Sequence, residues 1–401
     1  MNKVPNLRFK EFSSEWESGK LGQYISNKGG TALEKYVKNE GTHNFISIGN
    51  YSVDGNYIDT GQRINLNDKT HEKLLNKNDL VMVLNDKTAS GDLIGSTILI
   101  DEDNKYIYNQ RSERLICNSA LSPDFCWVLL NSKMFRKKVF SIAQGGTQIY
   151  VNFSNVKNLQ ILLPSLNEQK KIASFFSLID KKIELQTEKV EELKNYKKGI
   201  MQKIFSQELR FKDENGNEYS QWENKRLGEI GEIVTGKTPS THDSSLWDGG
   251  IQFVTPTDIN GSKYQLRTLR TVTQNSKMKV LPKNSIMYTC IASIGKISLS
   301  VAPCITNQQI NSLIPQNQNN EFIYYSLLNI TPKIKSTQAN TTLPIINKEE
   351  FSKFIIPLPS LPEQEKIVNV LSRLDNIIEK EQEKLKGLGQ YKKGLLQQMF
   401  V

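Results

Sequence analysis

One 43-residue stretch occurs twice, and it constrains the fold more than any other feature. Leu163–Phe205 and Leu358–Phe400 align without a gap at an offset of 195, and 21 of the 43 positions are identical. Agreement of this kind marks an internal duplication. Each copy is written as a helix. In the first, the residues step by 4 and 3 through Ile172, Phe176, Ile179, Ile183, Gln186, Val190, Leu193, Lys197, Ile200 and Ile204. The second takes the same steps through Ile367, Leu371, Leu374, Ile378, Glu381, Leu385, Leu388, Lys392, Leu395 and Met399. A 3.5-residue period is a coiled-coil seam rather than the broader stripe of a helix lying on a globular core. The polar breaks fall at matching places, which are expected to fix register. A seam this apolar needs a partner. The simplest is the other copy, lying antiparallel about a pseudo-twofold axis. The openings Ser165-Leu166-Asn167-Glu168 and Ser360-Leu361-Pro362-Glu363 fit the capping box, in which Ser and Glu side chains each satisfy the other's backbone N–H. Gly199 and Gly394 sit beside the seam residues Ile200 and Leu395. A Gly inside a helix costs about 1 kcal/mol relative to Ala, so both are expected to be packing sites that let a partner helix approach.

The duplication extends beyond the helices. Leu7-Arg8-Phe9-Lys10 recurs as Leu209-Arg210-Phe211-Lys212, and Trp16 with Leu21-Gly22 recurs as Trp222 with Leu227-Gly228. Gly29-Gly30-Thr31 faces Gly236-Lys237-Thr238, Asn109-Gln110 faces Asn307-Gln308, and Gln144–Asn152 faces Gln338–Asn347. Elsewhere the halves diverge. The expected order is a globular region over 1–163, a long helix over 164–205, a second globular region over 206–357 and a second long helix over 358–401. Both globular regions read as α+β, mixed in content, with short strands such as Leu80–Leu84, Ser96–Ile100, Ile286–Ile291 and Lys296–Val301. Asp54-Gly55 and Asn260-Gly261 mark tight turns. Pro123–Phe140 and Glu321–Leu328 read as helices, and Leu159–Leu163 and Phe354–Ile356 as last strands feeding the long helices.

The chain of 401 residues carries a formal charge of +10, spread along its length rather than gathered in a tail. A polyanion would therefore meet a shaped surface with basic loops. Cys117, Cys126, Cys290 and Cys304 form no CxxC pair, and His43, His71 and His242 are scattered. This spacing argues against a metal site and a disulfide framework, and it fits a reducing cytoplasm. No apolar run approaches the length needed to span a membrane.

Two motifs imitate catalytic sites. Gly231 through Gly236-Lys237-Thr238 matches the phosphate-loop pattern letter for letter. That loop must follow a buried strand and open a helix at its Lys. Here Pro239 pushes Thr238 toward extended geometry, so the expected structure is an ordinary loop whose Lys237, Thr238 and Ser240 offer donors to a phosphate. Asp124 with Glu168 and Lys170 imitates a metal-dependent nuclease, but the capping box already accounts for Glu168. The rival readings are an NTPase or nuclease built on these residues and a coiled-coil adaptor that binds no DNA.

Asn and Gln suit the adenine edge, so the Asn-Gln pairs either read bases or brace the fold. Their presence in both halves favours bracing, because residues that specify different sequences should differ between the halves. Divergent, donor-rich loops are the better candidates for DNA contact. In the first half these are Lys87, Thr88, Ser90, Thr147 and Gln148. In the second they are Ser293, Lys296, Asn340 and Thr341, with Asn85 placed opposite Thr289.

Together these features resemble the specificity subunit of type I restriction–modification enzymes, over essentially the whole chain. The motifs that carry the resemblance are Leu358-Pro359-Ser360-Leu361-Pro362-Glu363-Gln364, present twice with one change, together with Gly236-Lys237-Thr238-Pro239-Ser240, Asn307-Gln308 and Tyr391-Lys392-Lys393-Gly394. The first half departs at Ala32-Leu33, where the second has Pro239-Ser240. The resemblance implies a non-catalytic reader of double-stranded DNA. Two target-recognition domains would each read one half of a bipartite target, with the coiled coil fixing the spacer between them. It also implies two methyltransferase subunits docked on the helices, which bring S-adenosylmethionine, and motor–nuclease subunits, which bring ATP and Mg²⁺. No cofactor would be held by this chain itself.

Overall fold

The computed structural model describes residues 4–274, 278–338 and 345–400. The chain divides into two compact units, one formed by residues up to 188 together with those from 383 onward, the other by residues 189–382. Two long helices, Leu166–Phe205 and Leu361–Met399, each contribute to both units.

The first unit is built on an antiparallel sheet in the order Ile25–Gly29, Ser112–Cys117, Leu80–Val83, Thr97–Leu99. Its central strand shows why the sequence runs without a polar residue there. Side chains alternate across a strand, and Leu80 and Met82 enter one core while Val81 and Val83 enter another. A second sheet holds His43–Ile46 parallel to Tyr106–Tyr108.

The second unit repeats the plan. Gly231–Thr235, Ile310–Pro315, Ile286–Thr289 and Ile297–Ser300 form the matching antiparallel order, to which Tyr264–Gln265 adds a parallel edge. Ile286 and Tyr288 face one core and Met287 another. Trp247–Val254 runs parallel to Cys304–Thr306 in the second sheet.

In each unit a short strand near its start pairs with the strand that feeds a long helix. Glu17–Lys20 lies against Gln160–Leu163, and Glu223–Arg226 against Ile355–Leu358. The stretch expected as one helix over 123–140 is two, Pro123–Leu130 and Lys133–Ser141. They break because the Asn131 amide bonds both the N–H and the carbonyl of Thr97, at 3.0 and 2.8 Å. Ser132 then caps Phe135 N–H at 3.2 Å. The other expected helix is longer than its apolar pattern, spanning Asn320–Gln338.

The seam forms as its period requires. All twenty seam positions are buried or half-buried. In the first unit, Ile172, Phe176 and Ile179 from the start of one helix pack with Leu395, Met399 and Phe400 from the end of the chain. In the second, Ile204 and Phe205 pack with Ile367, Val368 and Leu371. Both arrangements are antiparallel. The polar breaks are used reciprocally: Lys392 pairs with Asp180 at 2.5 Å in the first unit, and Lys197 pairs with Asp375 in the second.

The capping boxes do not form. Glu168 leaves its own helix start and accepts two hydrogen bonds from Arg8 at 2.7 Å, with Trp16 Nε1 at 3.4 Å. Glu363 does the same for Arg210, at 2.9 and 3.0 Å, and for Trp222 at 3.0 Å. Ser165 Oγ is left with a long contact to Glu168 N–H at 3.4 Å, and Ser360 Oγ is buried without a partner among the described residues. A guanidinium that is itself shielded from water outcompetes a local backbone N–H, since charge-assisted bidentate bonds are about twice as strong as neutral ones. The following glutamines cap other helices. Gln169 accepts from Ser122 N–H at 2.9 Å, and Gln364 from Asn319 N–H at 3.0 Å.

Candidate nucleic-acid interface

Each unit carries the same short frame. Asn109 Oδ1 accepts from Arg111 N–H at 3.0 Å, and Asn307 Oδ1 accepts from Gln309 N–H at 3.1 Å. These are Asx turns, in which the side chain replaces a backbone acceptor. A glycine closes over each turn. A Cβ on Gly30 would lie 1.7 Å from Asn109 O, and one on Gly236 would lie 2.2 Å from Asn307 O. Asn109 and Asn307 are buried, so the asparagine of each pair braces the fold while Gln110 and Gln308 face outward.

The third residue of the turn differs between the units. Gln309 is held by the frame, its Oε1 accepting from Asn307 Nδ2 at 2.9 Å. Arg111 is half-buried, and its guanidinium has no hydrogen bond or ion pair among the described residues. It lines a cleft of about 520 Å³ together with Glu34, Phe45, Ser47, Gln62 and Lys87.

Two loops flank each frame. In the first unit Asn85–Asp86 pairs with Ile149–Tyr150, which brings the candidates Lys87, Thr88 and Ser90 beside Thr147 and Gln148. All five are exposed. Asp86 organises the loop by accepting from Thr88 N–H, Thr88 Oγ1 and Leu93 N–H at 2.9, 2.8 and 2.8 Å. Burial pushes its carboxyl up, but these bonds outweigh burial and hold its pKa below the ordinary value. The Thr88 hydroxyl is thus committed inside the loop.

In the second unit the loop after Gly231–Thr235 carries Lys237, Thr238 and Ser240. Thr238 Oγ1 donates to Gln308 at 2.5 Å, which ties this loop to the turn, while Lys237 and Ser240 are exposed. On the other side, Cys290 N–H donates to Gln309 O at 2.8 Å and leads into the loop of Ser293 and Lys296. Both are exposed, and Lys296 Nζ donates to Pro256 O at 3.0 Å. Asn340 and Thr341 lie outside the described residues. The strand pairings also shift the correspondence by two residues. Ser112 faces Val83 where Ile310 faces Thr289, so Val83 rather than Asn85 occupies the place of Thr289.

The phosphate-loop reading fails on geometry. Gly231–Thr235 is itself a strand paired with Ile310–Pro315, and no helix opens at Lys237. Glu168 is locked to Arg8 and is not available to a metal. No group of three or more His, Cys, Asp or Glu among the described residues is placed to hold one, and no helix there is long and apolar enough to cross a membrane.

On the long helices, Gly199 and Gly394 do not pack within the chain, since a Cβ at either would meet nothing within 4 Å. The reason is the rotation of the helix: the seam passes through their neighbours. One turn before each glycine stands an exposed tyrosine, Tyr196 and Tyr391. The other helix candidates, Ile183, Val190, Leu193, Ile200, Leu374, Ile378, Leu385, Leu388 and Leu395, belong to the seam.

The family model for the type I restriction modification DNA specificity domain matches this chain twice, over residues 13–195 and 219–389. A type I restriction enzyme specificity subunit from Methanocaldococcus jannaschii is 32% identical over 185 residues, covering 44% of this chain and 43% of that protein. The HindI specificity subunit from Haemophilus influenzae is 24% identical, covering 80% of this chain and 89% of the relative. Among solved structures, an S subunit of a type I restriction–modification system from M. genitalium superposes with a TM-score of 0.60 at 19% identity, covering 99% of each chain.

Proposed function

Since the chain belongs to the type I restriction modification DNA specificity domain family, we propose that it is the sequence-reading subunit of such an assembly and itself catalyses nothing. One observation carries the reading. The two units share a frame, the Asx turn under its glycine, and differ in the side chain that this frame presents, Arg111 in one and Gln309 in the other. A shared frame with different donors is what reading two unlike half-sites requires. The flanking loops add Lys87, Lys237 and Lys296 for the backbone of double-stranded DNA, whose phosphates supply salt-dependent affinity.

Two methyltransferase subunits dock on the long helices. The open backbone at Gly199 and Gly394, each one turn beyond an exposed tyrosine, supports this placement. Aromatic residues are enriched at such contacts. The methyl donor S-adenosylmethionine belongs to those subunits, and ATP and Mg²⁺ to the motor–nuclease subunits, all acting on DNA in the cytoplasm.

Methylome sequencing of a host carrying this gene with its methyltransferase partner tests the proposal. A methylated motif split by an unspecified spacer is expected. Methylation of a continuous motif, or none despite an assembled complex, would overturn it.

A further inference from the structure

We infer that Arg111 is the specificity-determining residue of the first unit and reads a guanine, an assignment that rests on the DNA-reading function proposed above. Three observations carry it. Arg111 is half-buried and lines the cleft, and its guanidinium has no partner among the described residues. A guanidinium that the fold leaves unpaired in a cleft keeps its forked donors for a ligand. Its backbone is fixed by Asn109 beneath it, and Leu84 N–H donates to Arg111 O at 2.9 Å, so the side chain leaves a rigid base. The equivalent place in the second unit holds Gln309 on the same turn. Between otherwise matching frames, this is where the chemistry changes.

The cleft favours a base edge over a phosphate. Glu34 stands in it with Arg111 and Lys87, so the cleft offers an acceptor beside its donors, which a base pair can use and a phosphate cannot. The same carboxylate is a suitable acceptor for the N4 amino group of cytosine, while the forked guanidinium matches O6 and N7 of guanine. A G·C pair presented in the major groove meets both.

The test uses the full chain assembled with its methyltransferase subunits. In the methylome of a host carrying Arg111→Ala, one guanine position in one half-motif should relax while the other half-motif stays intact. Arg111→Lys, which keeps the charge but loses the fork, should relax the same position. An unchanged motif in both variants would overturn the inference and leave the split-motif function standing; absence of a split motif with the natural chain would remove the function itself. Should Arg111→Ala abolish methylation altogether, the natural complex decides. Replacing each guanine of both half-sites by 7-deazaguanine, which removes N7 and keeps O6, should weaken binding about 3- to 12-fold at one position, half the worth of the bidentate pair. No position changing by more than about twofold would overturn the assignment.

Discussion

Glu168→Ala should unfold the first unit more readily than Glu363→Ala unfolds the second, although the two glutamates occupy the same place in the repeat. Removing the Glu168 carboxylate strands the Arg8 guanidinium, whose side chain is 11% exposed, and the buried Trp16 N–H. Breaking one partner of a buried ion pair costs about 3–5 kcal/mol. For a unit of this size that is roughly a 6–20 °C fall in its unfolding temperature, at 2–4 °C per kcal/mol. Glu363→Ala leaves Arg210 better provided, because its Nη2 also donates to Tyr219 O at 3.3 Å and Ser220 O at 2.9 Å. The loss there should be about 1.5–3 kcal/mol, that of a hydrogen bond to a charged group. Hydrogen exchange read by mass spectrometry separates the two units in one experiment. Replacing both partners, as Arg8→Met with Glu168→Leu, should recover much of the loss, since an apolar pair of similar volume is often no worse than a buried ion pair. A cost below about 1 kcal/mol at Glu168, or equal costs at both sites, would refute the reasoning.

Lys392→Ala should destabilise the helix pair in the first unit, whereas Lys392→Leu with Asp180→Leu should equal or exceed the natural stability in urea unfolding. One Asp180 oxygen is already buried without a partner, and the double change removes it. Gly236→Ala should lower stability by about 1–3 kcal/mol or more, the usual range for overpacking, because the new Cβ would meet Asn307 O at 2.2 Å; thermal unfolding checks this. Lys237→Ala should leave ATP turnover by the assembled complex unchanged while lowering the salt slope of DNA binding by about one unit. Falling turnover at constant DNA affinity would contradict that. Asp86→Asn should loosen the loop that carries Lys87 and Thr88, seen as faster exchange at Leu93 N–H. In the natural chain the carboxylate has a depressed pKa, so its contribution is present above about pH 4, the unfolded value, and is lost as pH falls through the lower folded value.

Most of the helical architecture was legible because it is periodic. The 3.5-residue steps named every seam position, and Pro239 after Thr238 was enough to exclude a phosphate loop. The capping boxes misled because Ser-x-x-Glu is a local pattern, whereas the partner of Glu168 is Arg8, 160 residues away. The signal was present: Leu-Arg-Phe-Lys opens both halves, and residues that match between diverged halves specify the fold. Arg8 and Arg210 match between the halves as Asn109 and Asn307 do, and each belongs to a buried pair. Arg111 was missed for the opposite reason. It stands next to a matching Asn-Gln pair, and a single mismatch beside matching residues makes no pattern of its own. The parallel strand pairs left no local trace, since each joins segments separated by about 35 residues or more.

The first unit closes its core with residues from the far end of the chain. Phe400 stacks on Phe125 and meets the edge of Trp16, and Leu7 N–H donates to Gln398 O at 2.9 Å. Synthesis therefore begins one domain, makes another, and only then delivers what the first lacks. The intervening residues 189–382 take about 10–40 s to translate at 5–20 residues per second. During that interval Phe125, Phe176 and Trp16 have no Phe400 to cover them. A stop codon ahead of Phe400 would thus injure the part of the protein made first, and the nascent first unit is the one that needs a chaperone until Phe400 is made.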